Sequence, residues 1–239
     1  LGKENDLDLN CYVNSYGVFT NAKESFANDH IFKSESNIIE RLRESGLLIS
    51  NEKFEHSYPH CWRHKTPVIF RTTRQWFISM ENEDFRSACL KSIKDVEWKP
   101  TWGEERINGM IETRPDWCIS RQRYWGVPIP LFTHKDDQTI HPDTPKLLKQ
   151  IADKIEDQGI DAWFDADAEE FLSDDANSYD KSTDTMDVWM DSGIAHKTVS
   201  HLFDHITNEA DLYLEGSDQH RGWFQSSLLT SVAINNHAP

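Results

Sequence analysis

The end of the chain constrains the fold most, because it changes within a short stretch from an apolar pattern to a polar one and back. Residues 211–214 predict a short strand, residues 215–220 a polar turn and residues 221–234 a helix. Strand, turn and helix in this order form half of a βαβ unit, in which ligands bind near the carboxyl ends of strands. The polar side chains of this turn are therefore predicted to bind a ligand; they are Glu215, Asp218, Gln219 and His220.

Two carboxylates lie three residues apart in this turn. Glu215 and Asp218 could bind an amine, the hydroxyls of a ribose or a metal. A pair of carboxylates is also used in glycoside hydrolysis, although two carboxylates alone do not specify that reaction. The competing interpretation is that Asp218 only caps the helix that is predicted to begin near Arg221.

Two tryptophans are placed after predicted short strands. Trp189 lies in the string DVWMDSG (187–193), and Trp223 follows the polar turn. Two indoles on neighbouring strand ends can clamp an apolar side chain or a cationic amine. The alternative for each is ordinary core packing.

Further elements follow from apolar periodicity and from turn residues. We predict helices over residues 36–46, 85–93 and 144–157, and strands over residues 67–73 and 127–132. Ser36 or Asn37 is expected to cap the first helix, Gly46 to end it, and Pro145 to lie in the first turn of the third.

Charge is distributed unevenly along the 239 residues, whose net charge is −16. Residues 151–192 carry fourteen Asp and Glu against two Lys, and we expect a small solvated insertion there. Residues 56–80 contain four basic residues and no acid, interleaved with aromatic and histidine side chains, as in segments that contact unstacked nucleic acid bases. A basic surface strand is the simpler interpretation. No apolar run is long enough to cross a membrane, and residues 1–6 lack the apolar core of a signal peptide.

The spacing of the cysteines and the absence of common catalytic motifs exclude several classes of protein. Cysteines at 11, 61, 89 and 118 form no CxxC pair, so reduced thiols are expected. Residues 56–64 hold three His and one Cys without a second cluster, and no zinc is expected. No phosphate-binding loop, serine hydrolase elbow, zinc protease or dinucleotide motif occurs, and Ser192 with His196 lacks an orienting acid.

Four strings in a fixed order resemble one family, the isoleucyl-tRNA synthetases, which are class I aminoacyl-tRNA synthetases. They are SYPHCWRHKTP (57–67), RPDWCISRQRYWGVPIP (114–130), DVWMDSG (187–193) and YLEGSDQHRGWF (213–224). The fourth string resembles the bacterial form in particular. The family's HIGH and KMSKS strings, which hold ATP, do not occur here, and we expect an internal fragment that is inactive alone.

The resemblance implies an α/β fold with four parts. Residues 1–75 would be the distal part of the inserted editing domain, and residues 76–130 the return into the catalytic core. Residues 131–185 would be a small acidic insertion, and residues 186–239 the second half of a Rossmann-like nucleotide-binding fold.

The resemblance also implies roles for individual residues. Glu215, Gly216, Asp218, Gln219 and His220 would bind the adenylate, and Trp189 and Trp223 would form the walls of the isoleucine pocket. The candidates for tRNA contact are Arg121, Arg123, Arg63 and Arg71. Isoleucine, ATP with Mg²⁺ and tRNA(Ile) would be the substrates of a cytoplasmic, monomeric enzyme that edits mischarged valine.

Three alternatives stay open from the sequence. A valyl-type sister synthetase would differ in the pocket formed by Trp189 and Trp223. A non-catalytic RNA-binding module would keep the fold without the ATP motifs. A carbohydrate hydrolase using Glu215 and Asp218 would leave the string RQRYWG (121–126) unexplained.

Overall fold

A computed structural model of the chain describes residues 5, 7, 11–20, 27–203, 205–206 and 210–239. The chain folds as two compact units, residues 1–74 and 75–239. The helices are α1 (Glu35–Glu44), α2 (Phe85–Lys94), α3 (Trp102–Glu112), α4 (Thr144–Gln158), α5 (Asp161–Asp165), α6 (Glu169–Leu172), α7 (Val188–Gly193), α8 (Ala195–Leu202) and α9 (Trp223–Asn235). The strands are β1 (Phe77–Ile78), β2 (Trp117–Cys118), β3 (Ser120–Arg121), β4 (Phe132–His134), β5 (Tyr179–Lys181) and β6 (Thr185–Met186).

The first unit contains α1, which confirms the helix predicted over residues 36–46. The predicted caps are wrong, because the helix begins at Glu35 and residue Ser34 precedes it. Ser34 is buried, and its hydroxyl donates to the carbonyl oxygen of His30 at 3.0 Å, so it is used to anchor the preceding turn. At the other end Gly46 adopts a φ of +70°, the left-handed conformation that ends many helices.

The strand predicted over residues 67–73 is wrong. Pro67 forms one isolated antiparallel bridge with His60, and residues 68–73 enter no ladder. The bridge closes a tight turn, in which the backbone N–H of Cys61 donates to the oxygen of Thr66 at 2.8 Å. β-branched residues favour a strand only where a neighbouring strand offers a ladder, which the periodicity of one segment cannot reveal.

The larger core of the second unit lies between α2, α3, α9 and β2. Its buried members are Met80, Cys89, Ile93, Ile107, Ile111, Trp117, Leu228, Leu229 and Val232. Helix α2 confirms the helix predicted over residues 85–93, and α9 confirms most of the helix predicted over residues 221–234. Strands β1 and β2 pair antiparallel at the edge of this core, with Ile78 opposite Trp117.

A second, smaller core forms within residues 131–185. Phe132, Leu147, Ile151, Trp163, Leu172 and Ala176 are its buried members. Helix α4 confirms the helix predicted over residues 144–157, with Pro145 in its first turn. Strand β4 pairs antiparallel with β5. The strand predicted at 127–132 is displaced, since Pro128 only bridges Thr185 and the ladder begins at Phe132.

The acidic segment therefore folds around apolar side chains and is more than a solvated charge run. The Lys181 side chain binds the end of α5 within this segment. Its ammonium donates to the carbonyl oxygens of Trp163 at 2.6 Å and Phe164 at 3.2 Å. Desolvation lowers the pKa of Lys181 below its ordinary value. A cation at the end of α5 satisfies carbonyls that the helix itself leaves unpaired.

The strand predicted over residues 211–214 is wrong, and with it the half of a βαβ unit. Residues 212–216 have no regular secondary structure and join no ladder, and Leu212 and Leu214 are 75% and 80% exposed. Within the described ranges the sheets are three two-stranded antiparallel ladders, so no parallel sheet is present there. A parallel strand needs neighbours from distant parts of a chain, which local sequence does not supply. No described helix is long and apolar enough to span a bilayer.

Truncation of Leu229 tests the larger core. Leu229 is 1% exposed, and we expect Leu229→Ala to lower the free energy of unfolding by about 2–5 kcal/mol through lost burial and a cavity. Ile234, on the same helix, is 50% exposed, and Ile234→Ala is expected to cost much less. Urea unfolding followed by tryptophan fluorescence measures both. Equal losses for the two variants would contradict this packing of α9.

Thiol alkylation tests the environments of the cysteines. Burial raises the pKa of Cys89 to about 12, whereas a hydrogen bond with the Thr72 side chain lowers the pKa of Cys11 to about 7. Only the thiolate reacts, so iodoacetamide at neutral pH should label Cys11 rapidly and Cys89 only after unfolding. Peptide mass spectrometry with and without urea reads the labelling. Labelling of Cys89 in the native protein at the rate of Cys11 would refute the assignment.

Candidate functional site

The predicted polar turn forms a short 3-10 helix, Ser217–Arg221, directly before α9. Gln219 connects the two, because its side-chain oxygen accepts from the backbone N–H of Trp223 at 2.9 Å. Its amide nitrogen donates to Oδ2 of Asp218 at 2.9 Å. Gln219 thus satisfies one of the N–H groups that a helix leaves unpaired at its start, and the interpretation of Asp218 as the cap of the helix is wrong.

Two carboxylates of the turn are open to a ligand. Glu215 and Asp218 are both exposed, and Gly216 lies between them in the sequence. A Cβ atom on Gly216 would lie 2.7 Å from Oδ1 of Asp218, so a larger residue would push this carboxylate away. The glycine therefore allows the backbone and the Asp218 carboxylate to approach closely.

The two tryptophans lie on two helices that pack against each other, α7 and α9. Trp189, on α7, is 42% exposed, and its Cη2 atom would lie 3.1 Å from a Cβ on Gly222. Trp223 begins α9, and its indole N–H donates to the carbonyl oxygen of Ser192 at 2.8 Å. Trp189 thus approaches Gly222, between the polar turn and α9, and Trp223 is hydrogen-bonded to α7.

Tyr213 is a neighbour that sequence reasoning missed. Its ring stacks on Trp223 with centroids 4.4 Å apart and an angle of 16° between the planes. Its hydroxyl lies 3.3 Å from the Ser227 hydroxyl, and burial raises its pKa above the ordinary value. One face of Trp223 is therefore covered by Tyr213. The only signal in the sequence was an aromatic residue between two leucines.

His220 points away from the exposed carboxylates. Its imidazole is buried, and its ring lies 5.8 Å from Trp98 and 5.6 Å from Trp102 between ring centroids. Nδ1 lies 2.9 Å from the carbonyl oxygen of Ser217, whereas Nε2 has no hydrogen-bond partner. The histidine thus ties the 3-10 helix to an aromatic cluster on α3 and the preceding loop.

A buried carboxylate behind the tryptophans was also missed. Asp187 is 5% exposed and accepts from Nε1 of Trp117 at 3.1 Å and from the guanidinium of Arg121 at 2.9 Å. Its other oxygen accepts from the backbone N–H of Trp189 at 3.3 Å, so Asp187 caps α7. An Asp directly before a helix is a recognisable start signal, which could have revealed the cap but not its other partners.

Arg114 extends this network towards α9. Its guanidinium lies over the Trp117 ring at 5.5 Å from the centroid and donates to the side-chain oxygen of Gln225. Desolvation lowers the pKa of Arg114, and the charge of Asp187 opposes that shift. The network of Asp187, Arg121, Trp117, Arg114 and Gln225 therefore joins β2, β3, α7 and α9.

The predicted tRNA-contact arginines differ in their surroundings. Arg121 is occupied by Asp187 and by the carbonyl oxygens of Cys118 and Ser120, at 3.1 and 2.8 Å. Arg123 is exposed, and the next two side chains, Tyr124 and Trp125, are 107% and 86% exposed.

In the first unit, Arg63 lies over the Trp62 ring at 4.8 Å, and Arg71 is exposed. The candidate zinc segment there holds Cys61 3.5 Å from Nδ1 of His64. Over the described residues no group of three His, Cys, Asp or Glu side chains is arranged to hold a metal.

Comparison with known proteins places the chain in a family. The family model for tRNA synthetases class I (I, L, M and V) matches residues 7–239. Isoleucine–tRNA ligases of Vibrio campbellii and Pseudoalteromonas atlantica are each 53% identical over the whole chain, which covers 26% and 25% of their lengths. The isoleucine–tRNA ligase of Thioalkalivibrio sulfidiphilus is 57% identical over 93% of the chain and 24% of its own length.

The chain thus spans about a quarter of the length of the curated relatives that it matches. The family match covers both folded units, including the polar turn, the two tryptophans and the Asp187 network. The chain belongs to the class I tRNA synthetases of the isoleucine, leucine, methionine and valine group.

Proposed function

We propose that the chain is part of an isoleucyl-tRNA synthetase. The reaction joins isoleucine to ATP as isoleucyl-adenylate with release of pyrophosphate, and then transfers the isoleucyl group to the terminal ribose of tRNA(Ile). The names of relatives 52–57% identical to this chain support the proposal. In such a reaction the protein contributes mainly by orienting the reactants and stabilising charge.

The observation that carries the proposal is the surface where α7 meets the polar turn. Two exposed carboxylates, Glu215 and Asp218, lie on one short turn, and two indoles lie at the helices beside it. A carboxylate can accept from a ribose hydroxyl or from the substrate ammonium. We assign Glu215 to contact with the adenylate, through its ribose or the substrate amine, and Gly216 to close approach of the backbone.

The other turn residues support these contacts in different ways. Asp218 and Gln219 are assigned to the amine or the ribose, with Gln219 also holding the start of α9 through Trp223. His220 is near the nucleotide in this assignment, but its burial among Trp98 and Trp102 favours a supporting role over direct contact. It would keep the turn in place from behind.

Trp189 and Trp223 are assigned to the walls of the isoleucine pocket. Flat, apolar indoles match a branched aliphatic side chain. Such a pocket cannot reject valine strongly, because one methylene is worth only about 1–3 kcal/mol, a limit for which this enzyme family is itself the established example. Editing of mischarged valine by another part of the enzyme follows from this limit.

The chain's place in the enzyme is assigned in four parts. Residues 1–75 are the distal part of the editing insertion, and residues 76–130 the return into the core. Residues 131–185 are the acidic insertion, and residues 186–239 the second half of the nucleotide-binding fold.

The remaining assignments follow from the same proposal. ATP binds with Mg²⁺, and since the HIGH and KMSKS strings do not occur in the chain, it is inactive by itself. Arg123, with the exposed Tyr124 and Trp125, is the stronger tRNA-contact candidate, because Arg121 is paired with Asp187. Arg63 and Arg71 are further candidates in the first unit. The intact enzyme is cytoplasmic and monomeric in this proposal.

Binding of adenylate analogues tests the role of Glu215. We expect the full-length protein to bind a non-hydrolysable isoleucyl-adenylate analogue more tightly than the valyl analogue. Glu215→Ala should weaken binding by about tenfold to a hundredfold, the range for one hydrogen bond to a charged group. Isothermal titration calorimetry measures both, with the exposed Glu105→Ala of α3 as a matched control.

Two results would count against this assignment. Equal affinity of the wild-type protein for the isoleucyl and valyl analogues would favour a sister synthetase. Unchanged binding by Glu215→Ala would remove Glu215 from the site.

Truncation of Trp189 tests the pocket. Trp189→Ala should raise the KM for isoleucine in ATP–pyrophosphate exchange by about tenfold or more, since it removes a wall that contacts the whole side chain. Trp125→Ala removes an exposed indole elsewhere and should leave this KM unchanged. If both variants shift the KM equally, or neither does, Trp189 is not a wall of the amino acid pocket.

A further inference from the structure

Asp187 occupies an unusual position behind the proposed pocket. It is a buried carboxylate that accepts hydrogen bonds from three different elements: β2, β3 and α7. A buried carboxylate is costly unless it is paired and hydrogen-bonded, so each of these contacts constrains the others. The side chain therefore fixes the relative positions of the three elements.

Its two oxygens face different elements. Oδ1 accepts from the backbone N–H of Trp189, which is the residue assigned to the pocket wall. Oδ2 accepts from the indole of Trp117 and from the guanidinium of Arg121. Arg121 ends β3 and leads directly into the exposed loop with Arg123, Tyr124 and Trp125.

We propose that Asp187 is a positioning residue, which sets Trp189 for the amino acid through Oδ1 and the loop over residues 122–125 for tRNA through Oδ2 and Arg121. This inference rests on the proposed function, because it needs Trp189 at the isoleucine pocket. It adds a residue that touches neither substrate and a physical link between two binding surfaces.

The geometry around Trp189 explains why its position depends on Asp187. Trp189 is the second residue of the short helix α7, and its N–H is one of the groups that such a helix leaves unpaired. The ring edge fits against Gly222, where a Cβ atom would lie 3.1 Å from Cη2. A shift of the first turn of α7 would therefore change the gap between Trp189 and the start of α9.

Three substitutions in the full-length protein distinguish the roles of the two Asp187 oxygens. Asp187→Ala removes both acceptors, whereas Asp187→Asn and Asp187→Ser keep an oxygen that can cap α7. None of the three presents the anion that Arg121 requires. Asp184→Asn is the matched control, since Asp184 is a half-buried carboxylate three residues earlier that lies outside this network.

Exchange kinetics give the first readout. Asp187→Ala should raise the KM for isoleucine by about fivefold or more, the ratio that corresponds to one lost helix cap, with kcat per active site unchanged. Asp187→Asn and Asp187→Ser should restore most of that KM. In aminoacylation, all three variants should raise the KM for tRNA, and the control should change neither value.

A purely structural role predicts a different pattern. It would lower the active fraction, seen by active-site titration, and the melting temperature, while KM for isoleucine stays at the wild-type value. That pattern, or an equal rise of the isoleucine KM in all three variants, would overturn the proposal. If Asp187→Ala does not fold, Asp187→Asn and Asp187→Ser are compared with the wild-type protein. A rise of about fivefold or more in the isoleucine KM of either variant, although each keeps a cap oxygen, would also overturn the proposal.

A readout without activity separates this inference from the proposed function. In protein labelled with 5-fluorotryptophan, the ¹⁹F resonance of Trp189, identified with Trp189→Phe, should move in Asp187→Ala and return towards wild type in Asp187→Ser. A resonance that stays in place in every variant overturns the positioning role. Absence of isoleucine-dependent exchange in the wild-type protein would instead overturn the proposed function and leave the spectroscopic result to stand by itself.

Discussion

The ion pair of Asp187 with Arg121 is the contact on which the arrangement of the second unit depends most. The ladders of this unit are only two or three residues long, so they supply few backbone hydrogen bonds between elements. Hydrogen bonds of side chains connect the elements instead. Asp187 joins β2, β3 and α7, while the Ser120 hydroxyl accepts from the N–H of Trp76 at 2.8 Å and Asp116 from that of Met80 at 2.9 Å.

Close packing of α7 against α9 depends on the absence of a side chain at Gly193. A Cβ atom on Gly193 would lie 2.9 Å from the carbonyl oxygen of Ser226, so only glycine allows the helices to approach this far. The Thr230 hydroxyl donates to the carbonyl oxygen of Gly193 at 2.7 Å, which satisfies a group at the end of α7. This contact packs α7, which carries Trp189, against α9, which begins with Trp223.

The helices predicted over residues 36–46, 85–93, 144–157 and 221–234 form, but α3 and α5 to α8 were not predicted, and the predicted strands are absent or displaced. α2 and α4 have apolar residues at helical spacing that pack into a core, so local pattern and tertiary structure agree. Residues 67–73 and 211–214 have equally clear strand composition, yet neither enters a ladder among the described residues. A strand is stabilised by its neighbour, and the identity of that neighbour is not written in the segment itself.

The sequence by itself determined the family, through four strings whose order and length leave little freedom, and the residue types at the turn that includes Glu215 and Asp218. Only the tertiary structure decided how these residues divide their roles. His220 and Asp218 are two residues apart, but one is buried among indoles and the other is exposed. Arg121 is paired with Asp187, whereas Arg123 is exposed. Spacing along the chain fixes which side chains are near each other, whereas burial and pairing depend on elements packed from far away, such as β2 and α7 around Asp187.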